Sequence, residues 1–254
     1  MGYRKFRADY LFEGHRRVSG DPVLILSHDG IVQEIVPAAE AGEGIETYSG
    51  TLCPGFVNCH CHLELSWLKG RIPEGTGLVD FLLAVIGQRG RAQPDAVAAA
   101  IAAAEEEMAA GGIVAVGDIC NTTDTLELKK SGRLAYYNFI ETMGFTDRSA
   151  PDRFGAALAI FTAFENQLKD TSSIVPHAPY SVSANLFGVI ARFAEGRLLT
   201  MHSQETAAEN EFYLSGQGDF LRLYQGLGLD ISAFRGTGKR SLASVLEYFP
   251  PEQP

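Results

Sequence analysis

Pro54-Gly55-Phe56-Val57-Asn58-Cys59-His60-Cys61-His62-Leu63-Glu64 reads as a short apolar strand that ends in two histidines one residue apart. Successive strand residues point to opposite faces, so His60 and His62 share a face. Two imidazoles side by side at a strand end can take two positions around one divalent metal ion. Cys59 and Cys61 alternate with the histidines and are expected to face away from the metal and to pack. A metallohydrolase is the first hypothesis, and it requires the chain to supply the remaining ligands.

The 254 residues are 46% hydrophobic and 20% charged, an ordinary globular composition with ample apolar material for a large core. No apolar run is long enough to span a bilayer and no charged-then-apolar leader opens the chain, so no membrane partner is expected and the default location is the cytoplasm. The net charge of −10, without a basic cluster, argues against nucleic-acid binding through phosphates. Three of the four cysteines, Cys53, Cys59 and Cys61, crowd the histidine strand, and Cys120 stands apart; this spacing does not suit a disulfide framework. A Pro-Cys-x-x-Cys with an upstream His-x-Glu is absent, which excludes the small cytidine-deaminase type of zinc site.

Working outward, residues 1–52 read as a small β unit with strands over 3–12, 22–27 and 31–35 and a hairpin turn at His28-Asp29-Gly30. His15 and His28 fall there as turn or solvent residues. From residue 53 to 254 the pattern becomes alternating strand and helix. Strands are expected over 52–59, 113–116, 134–140, 173–175 and 198–201. Helices are expected over 77–88, 94–110 (closed by Gly111-Gly112), 123–130, 151–168, from Ser183 to Gly196, from Thr206 onward, and over 241–249.

Strands alternating with helices imply a parallel sheet. Polar residues sit at the C-terminal strand ends: His60 and His62, Asp118, Glu141, His177 and His202. That is where a (β/α)8 barrel places its chemistry. A doubly wound sheet uses the same ends, but no Gly-x-Gly-x-x-Gly turn follows the first strand. The expected fold class is therefore an α/β, TIM-type barrel, incomplete with about five of its eight strands, since the chain stops at Pro250-Pro251-Glu252-Gln253-Pro254 soon after a helix.

His202, at the end of the fifth expected strand, can project beside the first pair as a third ligand, and Glu205 three residues on can reach the same mouth. Hydrolysis at a metal needs an ion that acidifies water and a carboxylate that moves its proton. His177, between Pro176 and Ala178-Pro179, is held by a restricted backbone and reads as a ligand, a substrate contact or a buried structural residue. A lone histidine is usually structural; three at strand ends with a glutamate at this offset are less simply dismissed.

His60-Cys61-His62-Leu63-Glu64-Leu65-Ser66, His177-Ala178-Pro179-Tyr180-Ser181 and His202-Ser203-Gln204-Glu205 through Glu209 resemble three stretches of the amidohydrolase superfamily. The resemblance is to its aminohydrolase branch of adenosine-type and S-adenosylhomocysteine deaminases and chlorohydrolase-like enzymes, and within it to the aminodeoxyfutalosine deaminases. It implies a metal site of His60, His62 and His202, holding one divalent ion, zinc first and iron second. It implies that Glu205 protonates a ring nitrogen of a small-molecule substrate and that His177 contacts the substrate. Asp80, in Gly77-Leu78-Val79-Asp80-Phe81, matches an acidic substrate contact more loosely. Glu64 and Glu209 read equally as ordinary polar residues.

The resemblance also implies a histidine after a sixth strand, a metal-binding aspartate after an eighth, and a C-terminal segment that completes a composite β-sandwich begun by residues 1–52. The chain is thus expected to be C-terminally truncated. The function implied is hydrolytic deamination of an aminopurine nucleoside. The alternatives are hydrolysis of another C–N bond (cyclic amide or amidine) or a C–halogen bond, and a catalytically incompetent fragment. Homo-oligomerisation stays open.

Overall fold

In a computed structural model, residues 2–168 and 171–250 are described. The chain divides into two compact units, one up to Phe56 and one from Val57 onward.

The first unit is all β. Strands β1 (Tyr3–Arg7), β4 (Pro22–Ser27), β5 (Val32–Pro37) and β6 (Ile45–Thr47) form a sheet in the order β5-β4-β1-β6. Strands β2 (Tyr10–Glu13), β3 (Arg16–Arg17) and β7 (Thr51–Leu52) form a second, in the order β3-β2-β7. The single strand expected over 3–12 is therefore two. The Asp9 carboxylate accepts from the Gly50 N–H at 2.7 Å and Tyr10 N–H donates to the Gly50 carbonyl at 3.1 Å, which carries the chain from one sheet into the other. The hairpin at His28-Asp29-Gly30 forms as expected, with Gly30 at a φ of 82°, and both His15 and His28 are exposed.

The second unit is built on a sheet of β8 (Phe56–Cys61), β9 (Ile113–Cys120), β10 (Ala135–Thr142) and β11 (Thr171–Pro176), in the order β11-β10-β9-β8. The pairs β9–β10 and β10–β11 are parallel and in continuous register. Helices α1 (Leu78–Gln88), α2 (Pro94–Ala110), α3 (Leu126–Lys129), α4 (Ala150–Gln167), α5 (Ala184–Phe193), α6 (Ala207–Ser215), α7 (Phe220–Gly226) and α8 (Ser241–Val245) follow or intervene. Their ends obey the local rules. Pro94 opens α2 and Gly112, at φ 81°, follows its end. Ser183 and Thr206 cap α5 and α6 by accepting from the Leu186 and Glu209 N–H groups.

The main core lies between β9–β11 and α4–α5, where Ile140, Ile174, Phe164, Leu186, Phe187 and Ile190 are essentially inaccessible. A second cluster joins Val79 of α1 to Phe212 of α6 and Phe220 and Tyr224 of α7, with Tyr180 among them. No described helix is long and apolar enough to cross a membrane.

Four further expectations are corrected. Residues 198–201 do not form a strand: side chains take the backbone groups of Leu198, its N–H donating to Tyr137 Oη at 3.1 Å and Ser173 Oγ donating to its carbonyl at 2.7 Å. Only Leu126–Lys129 of 123–130 is α-helical, and the helix from Ser241 ends at Val245 before a 3-10 turn. Cys61 packs beside the Leu63–Ile101 cluster as expected, but Cys59 is exposed.

Gly117 sets the approach of β8 to β9. A Cβ there would lie 2.5 Å from the Cys59 carbonyl oxygen and 3.0 Å from the Phe139 ring. The strand that carries the histidines can come this close only because the side chain is missing. Gly117→Ala is expected to lower the unfolding free energy by about 1–3 kcal/mol, as overpacking does; urea unfolding checks it, and an unchanged midpoint would contradict the close approach.

Candidate metal centre

His60 and His62 lie at the C-terminal end of β8, where His62 precedes the 3-10 turn Leu63–Leu68. His177 follows β11 and His202 follows residues 198–201; the His202 N–H donates to the His177 carbonyl at 2.9 Å, and the His177 N–H to the Thr142 carbonyl at 3.0 Å. Residues far apart in sequence are thus carried to one place.

The His60 and His62 Nε2 atoms are 3.2 Å apart, and so are those of His62 and His202. Burial, reinforced by His202 and His60, holds the His62 pKa down to about 3. Burial and then His177 lower that of His202 to about 4, and burial does the same for His177. Near neutral pH these rings are uncharged and present lone pairs. A convergent set of imidazole nitrogens from His60, His62 and His202 fits a divalent ion of the zinc or iron type.

A second set, Glu141, His177 and His202, brings its ligand atoms within 4.8 Å of one another. Glu141 Oε1 is 3.7 Å from His202 Nε2. Its other oxygen accepts from Asn121 Nδ2 at 2.9 Å, and burial raises its pKa. Its place at the end of β10 was legible in the sequence, but no role followed from that position alone. Ser181 Oγ donates to the Ala178 carbonyl and lies 2.6 Å from His177 Nδ1. The His177 Nδ1 is therefore engaged by the serine hydroxyl.

Glu205 is placed from three sides. Its Oε2 accepts from Tyr180 Oη at 2.9 Å, and its Oε1 lies 3.7 Å from His202 Nδ1. Its backbone N–H, and that of Gln204, donate to the two carboxylate oxygens of Glu209 at 2.8 and 3.0 Å. Gln204 has a φ of 57°, the one left-handed non-glycine backbone among the described residues. The fully buried Glu209 clamp holds that strained turn in place. Glu64 does similar work: one oxygen accepts from the N–H groups of Asn121 and Thr122 and from the Thr122 hydroxyl, each at 2.9 Å. Neither glutamate is an ordinary surface residue.

Asp80 is not drawn into this cluster. It lies half exposed on α1 and pairs with Arg222 of α7 at 2.9 Å, while Arg222 also holds Asp219. A cavity of about 420 Å³ opens beside Glu64, lined by Trp67, Arg89, Val97 and Thr122 among others.

Comparison with known proteins gives a consistent picture. An aminodeoxyfutalosine deaminase of a Nitratiruptor species is 27% identical over 179 residues, 68% of this chain and 44% of that protein. A 5-methylthioadenosine/S-adenosylhomocysteine deaminase of Archaeoglobus fulgidus is 27% identical over 189 residues, 70% of this chain and 44% of that protein. The chain spans less than half the length of either relative. Among solved structures, Helicobacter pylori aminofutalosine deaminase superposes with a TM-score of 0.74 at 21% identity, over 90% of this chain and 56% of that one. A zinc-bound adenosine deaminase from Xanthomonas campestris gives 0.64 at 21%, over 87% and 54%. These likenesses show a TIM-barrel-like α/β fold. The sequence profile of the amidohydrolase family matches residues 51–226, the stretch that carries all four histidines and Glu205, and the chain belongs to that family.

Proposed function

We propose that this chain carries the metal-binding half of a hydrolase that deaminates an aminopurine nucleoside of the aminodeoxyfutalosine kind. The observation that carries this reading is the Glu205 carboxylate, fixed by Tyr180 and Glu209 and 3.7 Å from His202 Nδ1, beside three imidazoles that converge at 3.2 Å. His60, His62 and His202 would hold one divalent ion, zinc before iron, and such an ion supplies an acidified water for hydrolysis. Glu205 gives a proton to the ring nitrogen next to the amino-bearing carbon and moves protons from the attacking water to the departing ammonia. His177 contacts the substrate beside His202; the rings of His177 and His202 have centroids 5.2 Å apart.

Asp80 enters this reading as a substrate contact that must leave Arg222 to act. In the same proposal, residues 1–52 form the first part of a composite β-sandwich and residues 53–254 the first part of a (β/α)8 barrel, in a cytoplasmic protein whose oligomeric state stays open. The relatives' names support deamination among the hydrolytic reactions that one such fold can host.

The zinc-loaded full-length hydrolase of which this chain is the metal-binding half, offered aminopurine nucleosides alongside cyclic amides and chlorinated triazines, is expected to release ammonia from a nucleoside. Glu205→Gln is expected to lower that rate by about 10²–10⁴-fold with zinc content unchanged. Wild-type turnover in Glu205→Gln would remove Glu205 from the chemistry, and turnover of a non-nucleoside alone would move the reading to another bond.

Proton linkage gives a second expectation. His177 titrates near 6.5 when unfolded and about 4 when folded, because burial disfavours its charged form. The unfolded chain binds the proton first as pH falls, so stability is full above pH 6.5 and is lost down to about pH 4. Urea midpoints of the metal-free protein should fall across this window, with His62 and His202 contributing because burial lowers their pKa values too, and His177→Gln should make the fall shallower without abolishing it. An equally steep profile in the variant would mean that His177 is not the group responsible.

A further inference from the structure

One buried charge pair takes no part in the site described above, yet it is bonded to the residue next to a ligand. Lys129 of α3 and Asp118 of β9 are both fully enclosed, with Nζ and Oδ2 2.6 Å apart. Lys129 also donates to Asn138 Oδ1 at 2.7 Å and to Cys120 Sγ at 3.4 Å, so each of its three hydrogens has a partner. The rings of Tyr136 and Phe164 lie 4.8 and 4.9 Å from the ammonium. The other carboxylate oxygen, Oδ1, accepts from the backbone N–H of Leu63 at 2.9 Å.

Leu63 follows His62 directly and opens the 3-10 turn Leu63–Leu68. The first N–H groups of a helical turn have no partner within it. Here that partner comes from a different strand. Asp118 therefore fixes the point at which the chain leaves β8, immediately after the second histidine. The Leu63 side chain is itself fully buried beside Ile101 and Val116, which anchors the same point from the apolar side. An aspartate buried without a cation would be costly, and Lys129 offsets that cost.

We propose that the Lys129–Asp118 pair is a positioning device for the metal ligands. It holds the Leu63 N–H, this sets the direction of His62 toward His60 and His202, and the affinity of the site for its ion depends on that bond. The inference rests on the reading of these histidines as a metal site. Lys129 acts through Asp118, and Asp118 acts through the backbone; neither touches the ion. Outer groups that orient metal ligands commonly change affinity by about 10–100-fold when removed.

Three variants separate positioning from mere support of the fold. D118L/K129M replaces the pair by apolar groups and removes the acceptor. L63P removes the donor together with the buried Leu63 side chain and leaves the pair intact, proline being suited to the first position of a helical turn, so it is read beside D118L/K129M, which keeps Leu63. D118N/K129M removes both charges but keeps an oxygen for the Leu63 N–H. Zinc affinity is measured by chelator competition and ligand geometry by the cobalt(II) absorption spectrum, both without substrate, with thermal unfolding of each metal-free protein alongside.

Folded D118L/K129M and L63P are expected to bind zinc at least tenfold more weakly with an altered cobalt spectrum. D118N/K129M is expected to stay within threefold of the parent with the parent spectrum. Parent-like zinc affinity in either bond-cutting variant, or a tenfold loss in D118N/K129M, overturns the proposal. If the parent itself binds no zinc, the metal reading fails and this inference with it, which is a different result from a parent that binds and variants that match it.

Discussion

Parallel pairing of β9 with β10, and of β10 with β11, is the constraint on which the site depends. In that register Ile140 lies opposite both Cys120 and Ile174, and Glu141 lies opposite Val175. Each strand therefore ends at the same edge, and whatever follows a strand end must gather there. Asn121 follows β9, Glu141 stands near the end of β10, and His177 follows β11. The histidines of β8 join this edge because Gly117 lets that strand lie against β9. The chemistry is thus an outcome of register rather than of any one loop.

The loops at this edge are held by buried carboxylates used in one consistent way. Glu64 accepts from the N–H groups of Asn121 and Thr122, Glu209 from those of Gln204 and Glu205, and Asp118 from that of Leu63. A carboxylate accepting from backbone N–H groups makes charge-assisted bonds that offset its loss of water. Glu209 and Asp118 fix backbone at the proposed proton carrier and immediately after a metal-ligand candidate, and Glu64 fixes the loop that leaves β9. Rigidity where loops would otherwise move is the physical gain, since loops carry few apolar contacts of their own.

Local signals explain what was legible in the sequence. Pro94 and Gly111-Gly112 bracket α2 as expected, Ser183 caps α5, and the alternation at His60-Cys61-His62 aims both imidazoles at one point. Local signals also explain the failure at residues 198–201. Their apolar run fits a strand, but Tyr137 and Ser173, distant in sequence, compete for the same backbone groups. Glu209 sits three residues after Thr206, whose side chain caps α6 on the Glu209 N–H. Its side chain reaches past the cap to Gln204 and Glu205, a destination set by the left-handed turn at Gln204. Lys129 and Asp118 could not be paired by pattern at all, because only the packing of α3 against the sheet brings them together.

Two carboxylates flank His202 at equal distance, and their surroundings assign them different work. Glu141 is 3.7 Å from Nε2 and Glu205 3.7 Å from Nδ1, but the Glu141 side chain is 3% exposed and that of Glu205 29%. Glu141 is tied to Asn121, which Arg89 holds in turn at 2.6 Å. It cannot swing toward a ligand without breaking that chain. Glu205 has one side-chain tether, the Tyr180 hydroxyl, and Tyr180 is itself locked by Tyr224 Oη on its carbonyl. The proton carrier of the proposed reaction needs a fixed position and an open side, and Glu205 has both. Glu141, enclosed and tied to Asn121, lacks that open side.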